Sequence, residues 1–313
     1  MKRSLLLLVQ YFIFILLGCL LGIFVYTQFY NNINLVAGFP VKFSKYPLIK
    51  GFLESIPIIL LLIGMLLSLY KVRHMENPVS SAIVYSCLGI ITWFLVFPAS
   101  LSLIKVLTPA TEKIAESEIK SELSRGYFRK VGNVYYYFLE EQRGDITQVI
   151  AIDSNQNTFG IIKQLDLSAD SEFNKQTQPF VDPIIKASLD NIPYRIIKVF
   201  SNVKKNAMNA WNNGYISWLL FCSLGFALWS IYGLIKISSW KLINTFMIIF
   251  FQGLIILFNG IYFSSRFELL HDLIPPVKSI PGSELLLAIV NVSVGILFIT
   301  VGIISTCVKK REY

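Results

Sequence analysis

The sequence predicts an integral membrane α-helical fold: six transmembrane helices in a 3+3 arrangement, with an extracytoplasmic, mainly-β domain inserted between the halves. Three observations carry this expectation. Of the 313 residues, 54% are hydrophobic and only 15% charged, and the mean hydropathy is +0.60, whereas an ordinary soluble domain carries roughly 25% charge. Six apolar runs are free of Asp, Glu, Lys and Arg: Leu5 to Phe29, Ile56 to Tyr70, Val79 to Ile104, Gly214 to Ile235, Leu242 to Ser265 and Leu285 to Val308. Between the third and fourth runs the pattern turns polar and alternating, as half-buried strands do.

The runs are taken in order. A helix needs about 20 apolar residues to cross a hydrocarbon core of roughly 30 Å, and five runs meet that length. The second reaches it by starting near Leu53, through Glu54 and Pro57, since proline is tolerated near the first turn of a helix. The first run shares features with a signal peptide, and Leu16-Leu17-Gly18-Cys19 has the form of a lipoprotein cleavage box. A signal h-region spans only about 7 to 15 residues, however, and Leu20 to Phe29 continue the apolar helix. A membrane span is therefore the expectation.

Orientation follows from the basic residues beside helix ends. With the N-terminus cytoplasmic, nine Lys and Arg lie in the inside connections (Lys2, Arg3, Lys71, Arg73, Lys236, Lys241, Lys309, Lys310 and Arg311) and six in the outside ones. Both termini are then cytoplasmic and the central segment is external.

That segment, Thr108 to Ala210, holds 13 basic and 13 acidic residues, so the chain's net charge of +9 belongs wholly to the hydrophobic parts. An electrically balanced module offers nucleic acid no basic patch. Glu112 to Leu123 reads as a short charged helix leaving the third span. Tyr127 to Val131, a Gly132-Asn133 turn and Val134 to Leu139 read as a hairpin. Gln148 to Ile152 and Thr158 to Leu167 follow as strands around an Asp153 to Asn157 turn. Ser168 to Pro193 is irregular and punctuated by Pro179, Pro183 and Pro193.

Several chemistries are excluded. Cys19, Cys87, Cys222 and Cys307 all lie in apolar runs, where cysteine behaves as a small hydrophobe, and the chain has only His74 and His271. No zinc-protease, nucleophile-elbow or phosphate-binding-loop motif is present. No catalytic residue, metal or cofactor is expected, and any ATP-driven work needs a partner.

The layout of three spans, an external β module and three spans resembles the permease subunits of the lipopolysaccharide exporter, the LptF/LptG (YjgP/YjgQ) family. The residues that carry the resemblance are Ser55-Ile56-Pro57-Ile58-Ile59-Leu60-Leu61-Leu62 through Tyr70-Lys71-Val72-Arg73-His74-Met75-Glu76, then Gly126-Tyr127-Phe128 with Val134-Tyr135-Tyr136-Tyr137-Phe138, and Leu273-Ile274-Pro275-Pro276 with Ile289-Val290-Asn291. The resemblance implies a periplasmic β-jellyroll, shortened here, and a location in the bacterial inner membrane. Its implied partners are a second permease of the same family, a cytoplasmic ATPase dimer and a periplasmic lipid-accepting bridge protein, and its implied cargo is a glycolipid. Two departures stand out: Asn77-Pro78-Val79-Ser80-Ser81 follows Glu76 where the family keeps small and basic residues, and the external module is shorter.

The domain division is then 1–107 for the first three spans with a coupling segment near 71–82, 108–210 for the periplasmic β-rich domain, and 211–313 for the last three spans. Lys42, Lys45 and Lys50, among Phe39, Phe43, Tyr46 and Phe52, are candidates to hold a lipid phosphate, or else snorkelling anchors of helix depth. Arg73, His74, Glu76 and Asn77 are candidates for coupling to the ATPase, or else a solvated loop. Gln252, Asn259 and Asn291 are expected to hydrogen-bond across helices, or else to line a cargo path, and Gly18, Gly22, Gly253 and Gly260 to let helices approach closely. The rival function is a non-transporting receptor or assembly scaffold with an external β module, or an ABC permease for another envelope lipid.

Overall fold

The computed structural model describes residues 2–36, 44–74, 78–119, 128–131, 134–139, 146–153, 158–166, 178–179, 192–263, 267, 275 and 281–311. Within lipid every backbone N–H and C=O must be satisfied inside its own segment, and the long Leu-, Ile- and Phe-rich runs do this as helices. The first half holds α1 (Lys2–Val36), α2 (Tyr46–Arg73), α3 (Pro78–Ile91) and α4 (Phe97–Ile119), with a π-helical turn at Thr92–Val96 joining the last two. The second half holds α5 (Ile192–Asn212), α6 (Tyr215–Ser230) with a 3₁₀ extension over Ile231–Lys236, α7 (Lys241–Ile261) and α8 (Gly282–Arg311). Six stretches are long and apolar enough to span a bilayer: Leu6–Asn32, Tyr46–Arg73, Ser80–Thr111, Tyr215–Lys236, Lys241–Ile261 and Gly282–Cys307. The chain is thus built as a multi-pass membrane protein.

Two features differ from the sequence expectation. Helix α2 begins at Tyr46, so Pro57 lies in its interior rather than near its first turn; neighbouring helices can re-satisfy a carbonyl freed by proline in a membrane segment. Helix α5 is polar and strongly amphipathic, and starts at the end of the stretch that the sequence reads as irregular and runs two residues past the end of the expected 108–210 β-rich domain.

The described strands form one antiparallel sheet. They are β1 (Phe128–Val131), β2 (Val134–Phe138), β3 (Ile146–Asp153), β4 (Thr158–Asp166) and β5 (Gln178–Pro179), in the order β4-β3-β2-β1-β5. Val131 pairs with Val134, so the expected two-residue hairpin connection is present in the register, although Gly132 and Asn133 themselves lie outside the described residues. Asp153 pairs with Thr158, and a register shift falls between Thr147 and Val149. Strand alternation places Val149 on a buried face and Ile152 on the other, where it pairs with the exposed Phe159, while Ile150 pairs with the exposed Ile161. The Ser154 to Asn157 turn and Lys120 to Leu123 of the expected charged helix also lie outside the described residues.

The chain separates into two compact units. The helical unit comprises Met1–Leu21, Leu53–Lys105 and Ile192–Tyr313, and the second comprises Gly22–Phe52 and Val106–Asn191. In the helical unit the centre is aromatic: Trp93 stacks on Phe97 with centroids 5.1 Å apart, Phe97 meets Trp218, and Tyr85 lies against Trp229 at 4.6 Å. Glycines make room for these rings, since a Cβ at Gly89 would sit 2.8 Å from Trp229 and one at Gly225 would run into Trp93. Tyr11 of α1 reaches the π-helical turn, its hydroxyl 3.0 Å from Thr92 Oγ1, which itself donates to the Leu88 carbonyl. In the second unit, Gly51 of α2 faces Ile23 and Tyr26 of α1, and the Tyr30 and Tyr46 rings meet at 5.3 Å.

Candidate functional site

Helix α5 determines the site. Val199, Val203 and Ala207 recur every four residues and are buried where α5 packs on α6 and α7, while Ile196 and Ile197 are exposed. Four ties fix it in place. Gly260 admits it closely, since a Cβ there would lie 2.6 Å from Val199 Cγ1 and 2.8 Å from the Val199 carbonyl. Asn202 Nδ2 donates to the Gly260 carbonyl at 2.9 Å. Lys204 Nζ meets Glu54 Oε2 of α2 at 2.5 Å, and Lys105 Nζ of α4 donates to Asn212 Oδ1 at 3.1 Å.

On a further face of α5, Asn202, Asn206 and Asn209, with Asn213 in the turn just past the helix, follow a four-three-four spacing, the stripe of one helical side. They line a cavity of about 630 Å³ whose other walls come from the start of α6, the end of α7 and the start of α8. Its floor is a closed polar network. Asn259 Nδ2 donates to Asn291 Oδ1 at 3.0 Å and Asn291 Nδ2 returns a bond to Asn259 Oδ1 at 2.9 Å. Asn259 Nδ2 also reaches the Ile255 carbonyl, and Asn291 Nδ2 reaches Ser223 Oγ at 3.3 Å. Both asparagines are almost wholly buried, so these bonds satisfy groups that water does not reach.

The mouth is more open. Lys205, Asn209 and Asn213 are exposed there, and Glu284 accepts a hydrogen bond from the Ser217 hydroxyl. Leu220, Phe221, Leu224, Phe263 and Leu287 supply the apolar wall. The lining contains no His or Cys, and among the described residues no group of three His, Cys, Asp or Glu is placed to hold a metal ion. What the cavity offers is carboxamide hydrogen bonding, with one cation and one anion at its rim.

Of the residues singled out from sequence, Asn259, Asn291 and Gly260 line this cavity, and the lipid-phosphate and coupling candidates lie elsewhere. Lys45 is exposed just before α2 and Lys50 is half-buried within it, both in the second unit; Lys42 lies outside the described residues. Arg73 and His74 are exposed at the end of α2, where the His74 ring stacks on Tyr70 at 4.4 Å and Lys241 Nζ of α7 lies 3.5 Å from the Arg73 carbonyl. Glu76 and Asn77 lie outside the described residues. Gln252 and the two buried asparagines do bond across helices, the former from Nε2 to the Leu61 carbonyl at 2.7 Å. Gly18 meets Ile59 as a close-approach glycine should, with a Cβ there 2.9 Å from Ile59 Cγ1, whereas Gly253 faces open space.

Sequence reasoning missed the cavity, although a signal was available. In Asn202-Val203-Lys204-Lys205-Asn206-Ala207-Met208-Asn209, asparagine, a poor interior helix former, repeats at helical period beside a complementary Val203/Ala207 stripe. Scans against protein-family models, curated proteins and solved structures find no match to this chain.

Proposed function

We propose that the chain is a permease subunit of an ABC-type exporter that moves lipopolysaccharide or a related glycolipid from the bacterial inner membrane toward the outer membrane. The observation that carries this reading is the order of elements: three apolar spans, an antiparallel sheet, then three more spans. A transporter of that plan with no phosphate-binding loop takes its energy from a separate ATPase. In this reading both termini face the cytoplasm, and the strands β1 to β5 belong to a shortened periplasmic jellyroll. The exposed Ile152, Phe159 and Ile161 suit the sheet to meeting acyl chains.

The parts have named roles. Arg73, His74, Glu76 and Asn77 receive the movement of a cytoplasmic ATPase dimer, and charge at such a helix end pairs readily with a partner groove. Lys42, Lys45 and Lys50 hold phosphate at the outer interface by charge-assisted hydrogen bonds, while the lipid's chains stay in hydrocarbon. A second permease of the same kind completes the lipid path, and a periplasmic bridge protein accepts the lipid.

Purification from the native membrane tests the reading: an ATPase and a second permease are expected to co-purify, and isolation with neither overturns it in favour of a receptor or scaffold. Photo-crosslinkers at Lys42 and Lys45 test the lipid path separately. Glycolipid adducts are expected there, and their absence removes the phosphate role.

A further inference from the structure

We infer that the asparagine-lined cavity between α5, α6, α7 and α8 is a binding site for an uncharged, hydroxyl-rich group of the size of a mono- or disaccharide. This inference stands apart from the exporter reading and holds whether or not an ATPase co-purifies. Its volume, about 630 Å³, falls within the roughly 300 to 1,000 Å³ of small-molecule sites. The lining decides the chemistry.

Six asparagines face the cavity: Asn202, Asn206, Asn209, Asn213, Asn259 and Asn291. Each carboxamide both donates and accepts hydrogen bonds, and a hydroxyl group does the same. Asn202, Asn259 and Asn291 are engaged in holding the helices together. The side chains of Asn206 and Asn209 have no hydrogen-bond partner among the described residues, which leaves them available to a ligand.

Other ligand classes fit less well. An anion would find one cation, Lys205, and would face the Glu284 carboxylate across the same cavity. A hard cation takes about six to eight oxygen ligands, rich in carboxylate, and only Glu284 supplies one. An apolar occupant would strip the amides of water without replacing their bonds, which is unfavourable. A polyhydroxylated ring satisfies the amides on its edges and lays its carbon face against Phe221 or Phe263, both in the lining.

Such a group reaches the cavity either as a free sugar or as the head of a lipid whose tail lies along the exposed Ile216 and Leu219 of α6. Native mass spectrometry of the full chain in amine-oxide micelles, titrated with methyl β-maltoside, dodecyl β-maltoside or inorganic phosphate, separates these sources. One saturable maltoside adduct per chain is expected, weakened about tenfold by Asn206→Leu with Asn209→Leu, a loss of about 1.4 kcal/mol. Binding of the methyl form identifies a free sugar, and binding confined to the dodecyl form identifies a lipid head. Asn209→Leu alone serves if the double variant unfolds on heating earlier than the parent. A phosphate adduct in place of maltoside, no saturable maltoside adduct, or maltoside binding indifferent to both Asn206 and Asn209 overturns the inference.

Discussion

The carboxamides of Asn259 on α7 and Asn291 on α8 face one another and exchange two hydrogen bonds, 3.0 and 2.9 Å long. A reciprocal amide pair is satisfied only while both partners are present. Asn291→Leu leaves Asn259 with a buried acceptor unfilled and also releases Ser223, and the expected loss is about 1 to 2 kcal/mol of stability. The double variant Asn259→Leu with Asn291→Leu is expected to lose less than the sum of the two single changes, because the second removes the group that the first orphaned. Unfolding of the detergent-solubilised protein in increasing denaturant measures all three.

Two glycines in spanning helices make opposite predictions. A Cβ at Gly225 of α6 would overlap the Trp93 ring, whereas nothing lies within 4 Å of one at Gly253 of α7. Gly225→Ala must displace a ring already stacked on Phe97, and overpacking of that kind costs about 1 to 3 kcal/mol. Gly253→Ala gains helix propensity without a clash and is expected to be neutral or slightly stabilising. Thermal unfolding of the two variants side by side decides the matter.

The spans were legible because lipid enforces long charge-free runs, which survive any detail of packing. The hairpin of β1 and β2 was equally legible, since Gly132-Asn133 sits between two runs of β-branched and aromatic residues and a two-residue turn fixes the register. The extra length of α2 was not, because Lys50 and Glu54 interrupt the apolar count upstream of Pro57 while the backbone continues as helix. Helix α5 escaped for a related reason: Val199, Val203 and Ala207 form too thin an apolar stripe to stand out beside full spans. The cavity depends on residues brought together from α5 and α6 on one side and the end of α7 and the start of α8 on the other, separate stretches of sequence, and only the Asn202 to Asn213 stripe was local enough to read.

Lys204 and Glu54 make the charged tie that holds α5 to α2, with side chains 21% and 36% exposed. Pairs this exposed contribute modestly, roughly 0.2 to 1 kcal/mol. In a double-mutant cycle built from Lys204→Met and Glu54→Gln, a coupling of about that size is expected, and exchanging the two charges restores much of it. A coupling near zero in the cycle shows that the contacts of Gly260, Asn202 and Asn212 seat α5 without this pair.

Sidedness is checked by the reactivity of two thiols. The dense basic clusters at Lys71 and Arg73, at Lys236 and Lys241 and at Lys309 to Arg311 favour retention of those helix ends in the cytoplasm, and the proposed orientation puts the strands on the far side of the membrane. In a variant with Cys87 replaced by alanine, Cys307 is the remaining exposed native thiol, Cys19 and Cys222 being buried. A membrane-impermeant maleimide added to intact spheroplasts is expected to label Asn155→Cys, in the β3–β4 connection, and to reach Cys307, near the end of α8, only after the membrane is opened. Labelling of Cys307 without permeabilisation, with Asn155→Cys protected, reverses the topology. It would also move Lys45 to the cytoplasmic face and Arg73 to the outer one, so the lipid-phosphate and coupling roles would both fall together.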